Sequence, residues 1–326
     1  AQRQTLQQKR QRVVELLARI EEIRREVDRV CNAVDGYALE TVTSDDRTAL
    51  NRLMADITAL LNANQLNMNQ EENLTERKQA VEALLARIDA IAEEFDRICA
   101  AVDAYAPETV TDDDRTALNG LLTDLTSLTA GTNLTDAQRD TLAQKKQAIE
   151  ALLARIDAIA DEFSRINAAV DGYDVDTVTG DDKADLERLL ADITALENGT
   201  NLTSAQRDTL AQKKNAISEL LKKIENTATV VDILCQGLYL HNVDTVRSVF
   251  GSDIQSFIKL ADRLLEGSNL TAAQRDELET AKRHGQALLA RVAEVLEILD
   301  RARALTSALE ESNVKSSDKA TLTQSI

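Results

Sequence analysis

Apolar residues recur along the chain in steps of alternately three and four. One run is Ile149, Leu152, Ile156, Ile159, Phe163, Ile166, Val170 and Tyr173. These are the a and d positions of a heptad seam on a long helix. The same run stands 68 residues earlier, at Val81, Leu84, Ile88, Ile91, Phe95, Ile98, Val102 and Tyr105. It stands again at Val13, Leu16, Ile20, Ile23, Val27, Val30, Val34 and Tyr37, and Ile224 and Val292 carry the register onward. Thr-Val pairs at Thr41, Thr109, Thr177 and Thr245 keep the same step, as do the Asn-Leu-Thr triplets starting at Asn133, Asn201 and Asn269. Self-similarity at a fixed period marks a repeat array, and it outranks the two-domain prior that length alone would set.

Start and stop signals divide each repeat into two helices. Thr135 is a good N-cap, and Gln138 three residues on completes a capping box; Thr203 with Gln206 and Thr271 with Gln274 repeat it. The long helix is predicted from Thr135 to Tyr173, roughly 58 Å at 1.5 Å per residue. A loop from Asp174 to Thr179 follows. A second, shorter helix then starts at Thr179 with Asp182 in its first turn, matched by Thr43 with Asp46 and Thr111 with Asp114. Leu186, Leu189, Leu190, Ile193 and Leu196 form its apolar stripe, and it ends near Asn198-Gly199, where a glycine just past a helix is expected.

The long helix is about twice the length of the short one. A long helix paired with one short one would leave half its seam in water. The arrangement that covers both halves uses the first half to close one three-helix bundle and the second half to open the next. The predicted fold is therefore all-α: tandem 68-residue three-helix-bundle repeats joined by continuous long helices into an elongated rod. Residues 1–18 are a partial helix of a preceding repeat. Complete repeats follow at 19–86, 87–154, 155–222 and 223–290, the last divergent, and 291–326 is a partial fifth. A curved two-helix solenoid is the alternative. Ala1-Gln2-Arg3 aligns with Ala137-Gln138-Arg139, and the tail from Val314 aligns with Val42, so the expectation is a piece of a longer array.

Composition supports this picture. One proline in 326 residues fits long uninterrupted helices, and 8 aromatics with no Trp leave burial to Leu, Ile, Val and Ala. A hydrophobic content of 43% argues against disorder. The net charge of −18 disfavours nucleic acid, whose phosphates need a basic surface. No apolar run approaches the length of a membrane span, and the first residues lack a signal-peptide pattern.

The run Thr-Val-x-x-Asp-Asp, then Leu-x-x-Leu-x-x-Asp-Ile, then Asn-Leu-Thr-x-Ala-Gln and a Leu-rich long helix resembles three-helix repeat arrays of Gram-positive surface proteins. Such arrays occur in large extracellular proteins of gut Clostridia and are similar to the FIVAR type of module. The resemblance implies a secreted or wall-attached stalk that carries or includes binding modules. The connection between bundles also resembles the spectrin repeat, in architecture only, without its Trp signature.

The candidate chemistry is sparse. Asn73, Asn133, Asn198, Asn201 and Asn269 stand in N-x-[ST] sequons, but recurrence before the capping Thr favours a structural role over glycosylation. Cys31, Cys99 and Cys235 occupy equivalent positions a whole repeat or more apart, which places them beyond disulfide reach as free, partly buried thiols. The loop acids Asp174, Asp176, Asp181 and Asp182 lack the Gly and terminal Glu of a calcium loop. His241 and His284 have no ligand-spaced partner. No nucleophile motif or phosphate loop is present, so neither catalysis, cofactor nor metal is expected.

The fourth repeat is the exception. Val249-Phe250 replaces the Asp-Asp pair of the other copies, and Leu238, Tyr239, Ile254 and Phe257 stand nearby. An aromatic in place of an exposed acid marks a candidate protein-binding patch at Tyr239, Val249, Phe250 and Phe257; the alternative is that this bundle packs its loop differently. The expected function is a non-enzymatic stalk, monomeric and extracellular. The alternative is a module that binds a host protein through a helix face or the divergent fourth repeat.

Overall fold

The computed structural model describes residues 2–308 and residue 323. The protein is all-α: nine α-helices and no strand stand among the described residues. They are α1 (Gln2–Asp35), α2 (Arg47–Asn62), α3 (Met68–Asp103), α4 (Arg115–Ala130), α5 (Asp136–Asp171), α6 (Lys183–Glu197), α7 (Ser204–Tyr239), α8 (Gly251–Glu266) and α9 (Ala272–Ala308). Long and short helices alternate, and α3, α5, α7 and α9 each start 68 residues after the last. The tail from Val314, assigned above to a partial fifth repeat, lies outside the described residues.

The chain divides into two compact units, Ala1–Ala160 and Asp161–Ile326, with the division inside α5. The first unit holds two cores. One is built from Val27, Val30 and Val34 of α1, Leu50, Leu53 and Ile57 of α2, and Leu74, Val81, Leu84 and Ile88 of α3. The other takes Ile98 and Val102 from the second half of α3, Leu118, Leu121 and Leu125 from α4, and Leu142, Ile149, Leu152 and Ile156 from α5. Each core is a three-helix bundle, and α3 runs without a break from one into the other. Heptad spacing permits this because one face of α3 meets partners along its whole length.

The second unit repeats the pattern. Ile166 and Val170 of α5, Leu186, Leu189 and Ile193 of α6, and Leu210, Ile217, Leu220 and Ile224 of α7 are buried. Arg165 reaches Asp192 at 2.5 Å and Lys213 reaches Asp171, which ties these three helices together. The last core joins Val231, Leu234 and Leu238 of α7, Ile254, Ile258 and Ala261 of α8, and Leu278, Leu288 and Val292 of α9. The seam residues at the start of α1 differ: Leu6, Val13, Leu16 and Ile20 remain 54–71% exposed, because no described element covers them.

The caps follow the hydrogen-bonding needs of the helix ends. Thr135 N–H donates to Gln138 Oε1 at 3.0 Å, and Gln138 N–H returns to Thr135 Oγ1 at 3.2 Å. Each short helix of the first three bundles is entered by a 3₁₀ turn whose last residue is the capping acid. Asp46, Asp114 and Asp182 accept from the backbone N–H of Thr43, Thr111 and Thr179 at 2.8–2.9 Å. The expected glycine stop takes another form. Gly131 and Gly267 are extended, with ψ of 156° and 163°, and no glycine has positive φ. An arginine at the start of the next helix serves the last carbonyls instead. Arg139 donates to the carbonyls of Thr129 and Gly131 at 2.9 and 2.7 Å, and Arg207 and Arg275 repeat the bracket. A left-handed cap, which would satisfy these carbonyls from the backbone, is then unnecessary.

Candidate interaction surface

Three kinds of polar fastener recur on the bundles, and each is built from a fixed register. The first is an ion triad between a long helix and the short one beside it. Arg29 donates to Glu26 one turn away at 2.9 and 2.5 Å, and to Asp56 of α2 at 2.7 Å. Arg97 does the same with Glu94 and Asp124, and Arg165 with Glu162 and Asp192. The hydrogen bonds from Arg29, Arg97 and Arg165 hold the Glu26, Glu94 and Glu162 carboxyls below their ordinary range. The second fastener is the Thr–Asp capping box. The third is an ion pair between the end of one long helix and the next, Arg77 with Asp35 at 3.0 Å and Lys145 with Asp103 at 2.5 Å.

Two of the sequon asparagines, Asn133 and Asn269, lock one bundle to the next within a unit, whereas Asn73 Nδ2 donates to the Asn69 carbonyl inside α3. Asn133 is 4% exposed, and its Nδ2 donates to the carbonyls of Leu39 and Val42 at 2.8 and 2.9 Å. Its Oδ1 accepts from Arg87 at 3.0 Å. The loop after α4 is thereby fastened to the loop after α1, at the point where α3 passes between the cores. Asn269 holds the carbonyls of Val175 and Val178 at 3.0 Å in the second unit. The nitrogen that a glycan would need is already used at both sites.

The remaining candidates fall into structural roles. Asp182 caps, and Asp174 Oδ1 accepts from the Asp176 N–H at 2.8 Å in a local turn. Among the described residues no group of three or more His, Cys, Asp or Glu is placed to hold a metal. Cys31, Cys99 and Cys235 are free, and burial pushes their thiols above the ordinary value.

In the fourth bundle all three fasteners are gone. Arg247 and Phe250 replace the Thr and Asp of the capping box, and Tyr239 and Ala281 replace the ion pair. Val230, Ile233 and Leu260 stand where the other bundles carry Glu, Arg and Asp of the triad. Phe250 stacks on His241 with centroids 4.3 Å apart and packs against the core. Tyr239 lies 5.3 Å from His284, whose Nε2 meets the His241 carbonyl at 3.0 Å.

Changes inside the bundle are paired. Gly285 replaces the seam Val81, Ile149 and Ile217, and Leu238 replaces Val34, Val102 and Val170. Leu238 Cδ2 would stand 2.6 Å from a Cβ on Gly285, so the larger residue fills what the smaller one vacates. Gly237 likewise replaces Ala33, Ala101 and Ala169, opposite Phe257, which replaces Leu53, Leu121 and Leu189. The Phe257 ring lies 2.8 Å from where a Gly237 Cβ would be.

The four residues singled out from the sequence therefore separate. Phe250 and Phe257 are partly buried against the core, whereas Tyr239 and Val249 are 48% and 70% exposed. Val230, Ile233 and Leu260 were passed over, and they are 44%, 56% and 48% exposed. Their signal was available in the 68-residue register, as three charged columns that turn aliphatic together. Comparison with known protein families, characterised proteins and solved structures finds no match for this chain.

Proposed function

We propose that the chain is a non-enzymatic spacer, the shaft of a secreted or wall-attached surface protein. The observation that carries this reading is the joint between the first two bundles. There α3 passes unbroken between two cores while Asn133 and Arg87 fasten the flanking loops. A joint held on one side by a continuous helix and on the other by buried hydrogen bonds resists bending. Repetition of one module with solvated ion pairs on its faces suits a shaft better than a reactive surface.

Small-angle scattering of the whole chain tests the reading. α3 has 36 residues, about 54 Å for two bundles. The spacer reading requires four bundles in line, which with the overhanging helix halves gives a maximum dimension on the order of 150 Å. The radius of gyration is then about 40 Å, against about 20 Å for a compact chain of this length. The compact value would overturn the spacer. Binding through the fourth bundle is the second reading, and the loss of all three fasteners there favours it.

A further inference from the structure

The groove between the long and short helices of the first bundle is lined by Arg29, Tyr37, Asp45, Arg52, Leu53 and Asp56. In the third bundle the charged positions are again Arg165, Asp181, Arg188 and Asp192, and in the second three of the four persist as Arg97, Asp113 and Asp124. In the fourth they are Ile233, Val249, Ser256 and Leu260, so four charges become none. Val230 removes the triad's glutamate on the same face, and Phe257 enlarges the apolar floor. The aliphatic replacements are not drawn into the core, since Val230, Ile233, Val249 and Leu260 stay 44–70% exposed. Within the groove the register adds one charge, Asp253, where the first bundle has Ala49; beside the groove α8 gains the exposed Lys259 and Arg263, where the first bundle has Ala55 and Ala59.

We propose that this α7–α8 face is a self-association surface, on which two copies of the chain pair side by side through their fourth bundles. A surface that has lost charges of both signs offers no ion pairs to a charged partner. Its complement is an equally uncharged apolar face, and the same face on a second copy is one. Elsewhere two copies, each at −18, repel; here the groove keeps only Asp253, and the neighbouring cations Lys259 and Arg263 of α8 offset it. Four half-exposed apolar side chains, over the partly buried Phe257, make a patch of a few hundred Å². That is below the roughly 800 Å² per partner of a standard interface, so the pairing is reversible and concentration-dependent. Salt strengthens it by screening the acidic chains, whereas association through ion pairs would weaken. The proposal does not rest on the spacer reading: scattering tests that, and mass in solution tests this.

The experiment is sedimentation equilibrium of the whole chain between about 1 µM and about 300 µM, a range suited to interfaces below the standard class of roughly 1,200 Å². The expected result is a monomer at the low end and a growing dimer fraction at the high end, larger at high salt. Val230→Glu/Ile233→Arg/Leu260→Asp restores the trio of the other three bundles and is expected to fold with an unchanged melting curve. It should remain monomeric throughout. Ile233→Arg alone, at an exposed position, serves as the second variant if the triple one is destabilised, and should lower the dimer fraction at least several-fold. Leu16→Glu/Ile20→Glu, on the exposed seam of α1, should leave the dimer intact. A wild-type chain monomeric at every concentration overturns the proposal. So does a dimer that survives both α7–α8 variants or that is lost with the α1 variant.

Discussion

The pairing of Leu238 with Gly285 can be tested by restoring the residues that the other bundles carry. A Cβ on Gly285 would stand 2.6 Å from Leu238 Cδ2 and 3.2 Å from Ile258 Cγ1, and Gly285, Leu238 and Ile258 all face one core. Gly285→Ile adds four carbons to that site. Overpacking of this kind costs about 1–3 kcal/mol, offset by the roughly 1 kcal/mol that removing a glycine from a helix returns. The 2.6 Å approach to Leu238 puts the overpacking at the upper end of that range, so the net expected loss is about 2 kcal/mol. Leu238→Val deletes one buried methylene and costs about 1 kcal/mol. Together they recreate the arrangement of Val102 with Ile149, both buried in the second core. The methyl that clashed is then absent, and only the contact with Ile258 stays tight. The double variant should therefore fall within about 1 kcal/mol of wild type, a coupling energy of about 2 kcal/mol. Hydrogen exchange on peptides from α7, α8 and α9 is the assay, because an array of bundles need not unfold in one step. Strict additivity of the two single changes would refute the compensation argument, as would a Gly285→Ile chain with unchanged protection.

Asn133→Ala strands the carbonyls of Leu39 and Val42 and one Arg87 donor in a buried site, and should cost about 2 kcal/mol. Faster exchange in the loop after α1 would report it, and unchanged exchange there would refute the latch. Expression in a cell that glycosylates sequons should leave Asn133 and Asn269 unmodified by mass spectrometry of the folded protein. Glu26, Glu94 and Glu162 have lowered folded pKa values, so their stabilisation is complete above the ordinary carboxylate value of 4.5. It is lost as pH falls through the lower folded value, so below about pH 4.5 each of the first three bundles should show a small drop in exchange protection relative to neutral pH that the fourth, which has Val230 instead, lacks. An equal or earlier loss in the fourth bundle would contradict this. Raised thiol pKa values predict slow alkylation of the folded chain near pH 8, slowest at Cys235, which is 4% exposed, with unfolding restoring the rate at all three.

Local physics made the helices readable. Ile149, Leu152, Ile156 and Ile166 are buried as their spacing requires, and Thr135 with Gln138 forms the capping box its composition announces. What sequence reasoning missed depends on partners far along the chain. Asn133 reads as structural through its place before the capping Thr135, but its partners lie 91 and 94 residues away, in a loop that only the folded joint brings near. Gly199 reads as the glycine stop of a helix, and the bracket from Arg207 that serves the last carbonyls instead is a tertiary geometry. The fourth bundle drew attention through rare residues, Phe250 and Phe257, and those turned inward. Its exposed change lies in ordinary residues, Val230, Ile233 and Leu260, split between two helices and joined only once α7 and α8 are side by side.

The fourth bundle separates two kinds of substitution that composition alone confuses. Several of its inner departures from its siblings are matched: Leu238 answers Gly285, Phe257 answers Gly237, and Phe250 on His241 takes over where the capping box is lost. These swaps conserve packed volume, so they maintain a fold and require no ligand. The outer triad is different. Exposed ion pairs contribute little to stability, so replacing Glu, Arg and Asp by Val, Ile and Leu is nearly indifferent to the fold. It is not indifferent to the surface, because it leaves adjoining aliphatic side chains in water, where burying apolar area on a partner is favourable. Packing thus accounts for the paired changes inside this bundle and leaves its α7–α8 face unexplained until something covers it. A face stripped of charge in one bundle and kept charged in the other three is what distinguishes a contact point from a length of shaft.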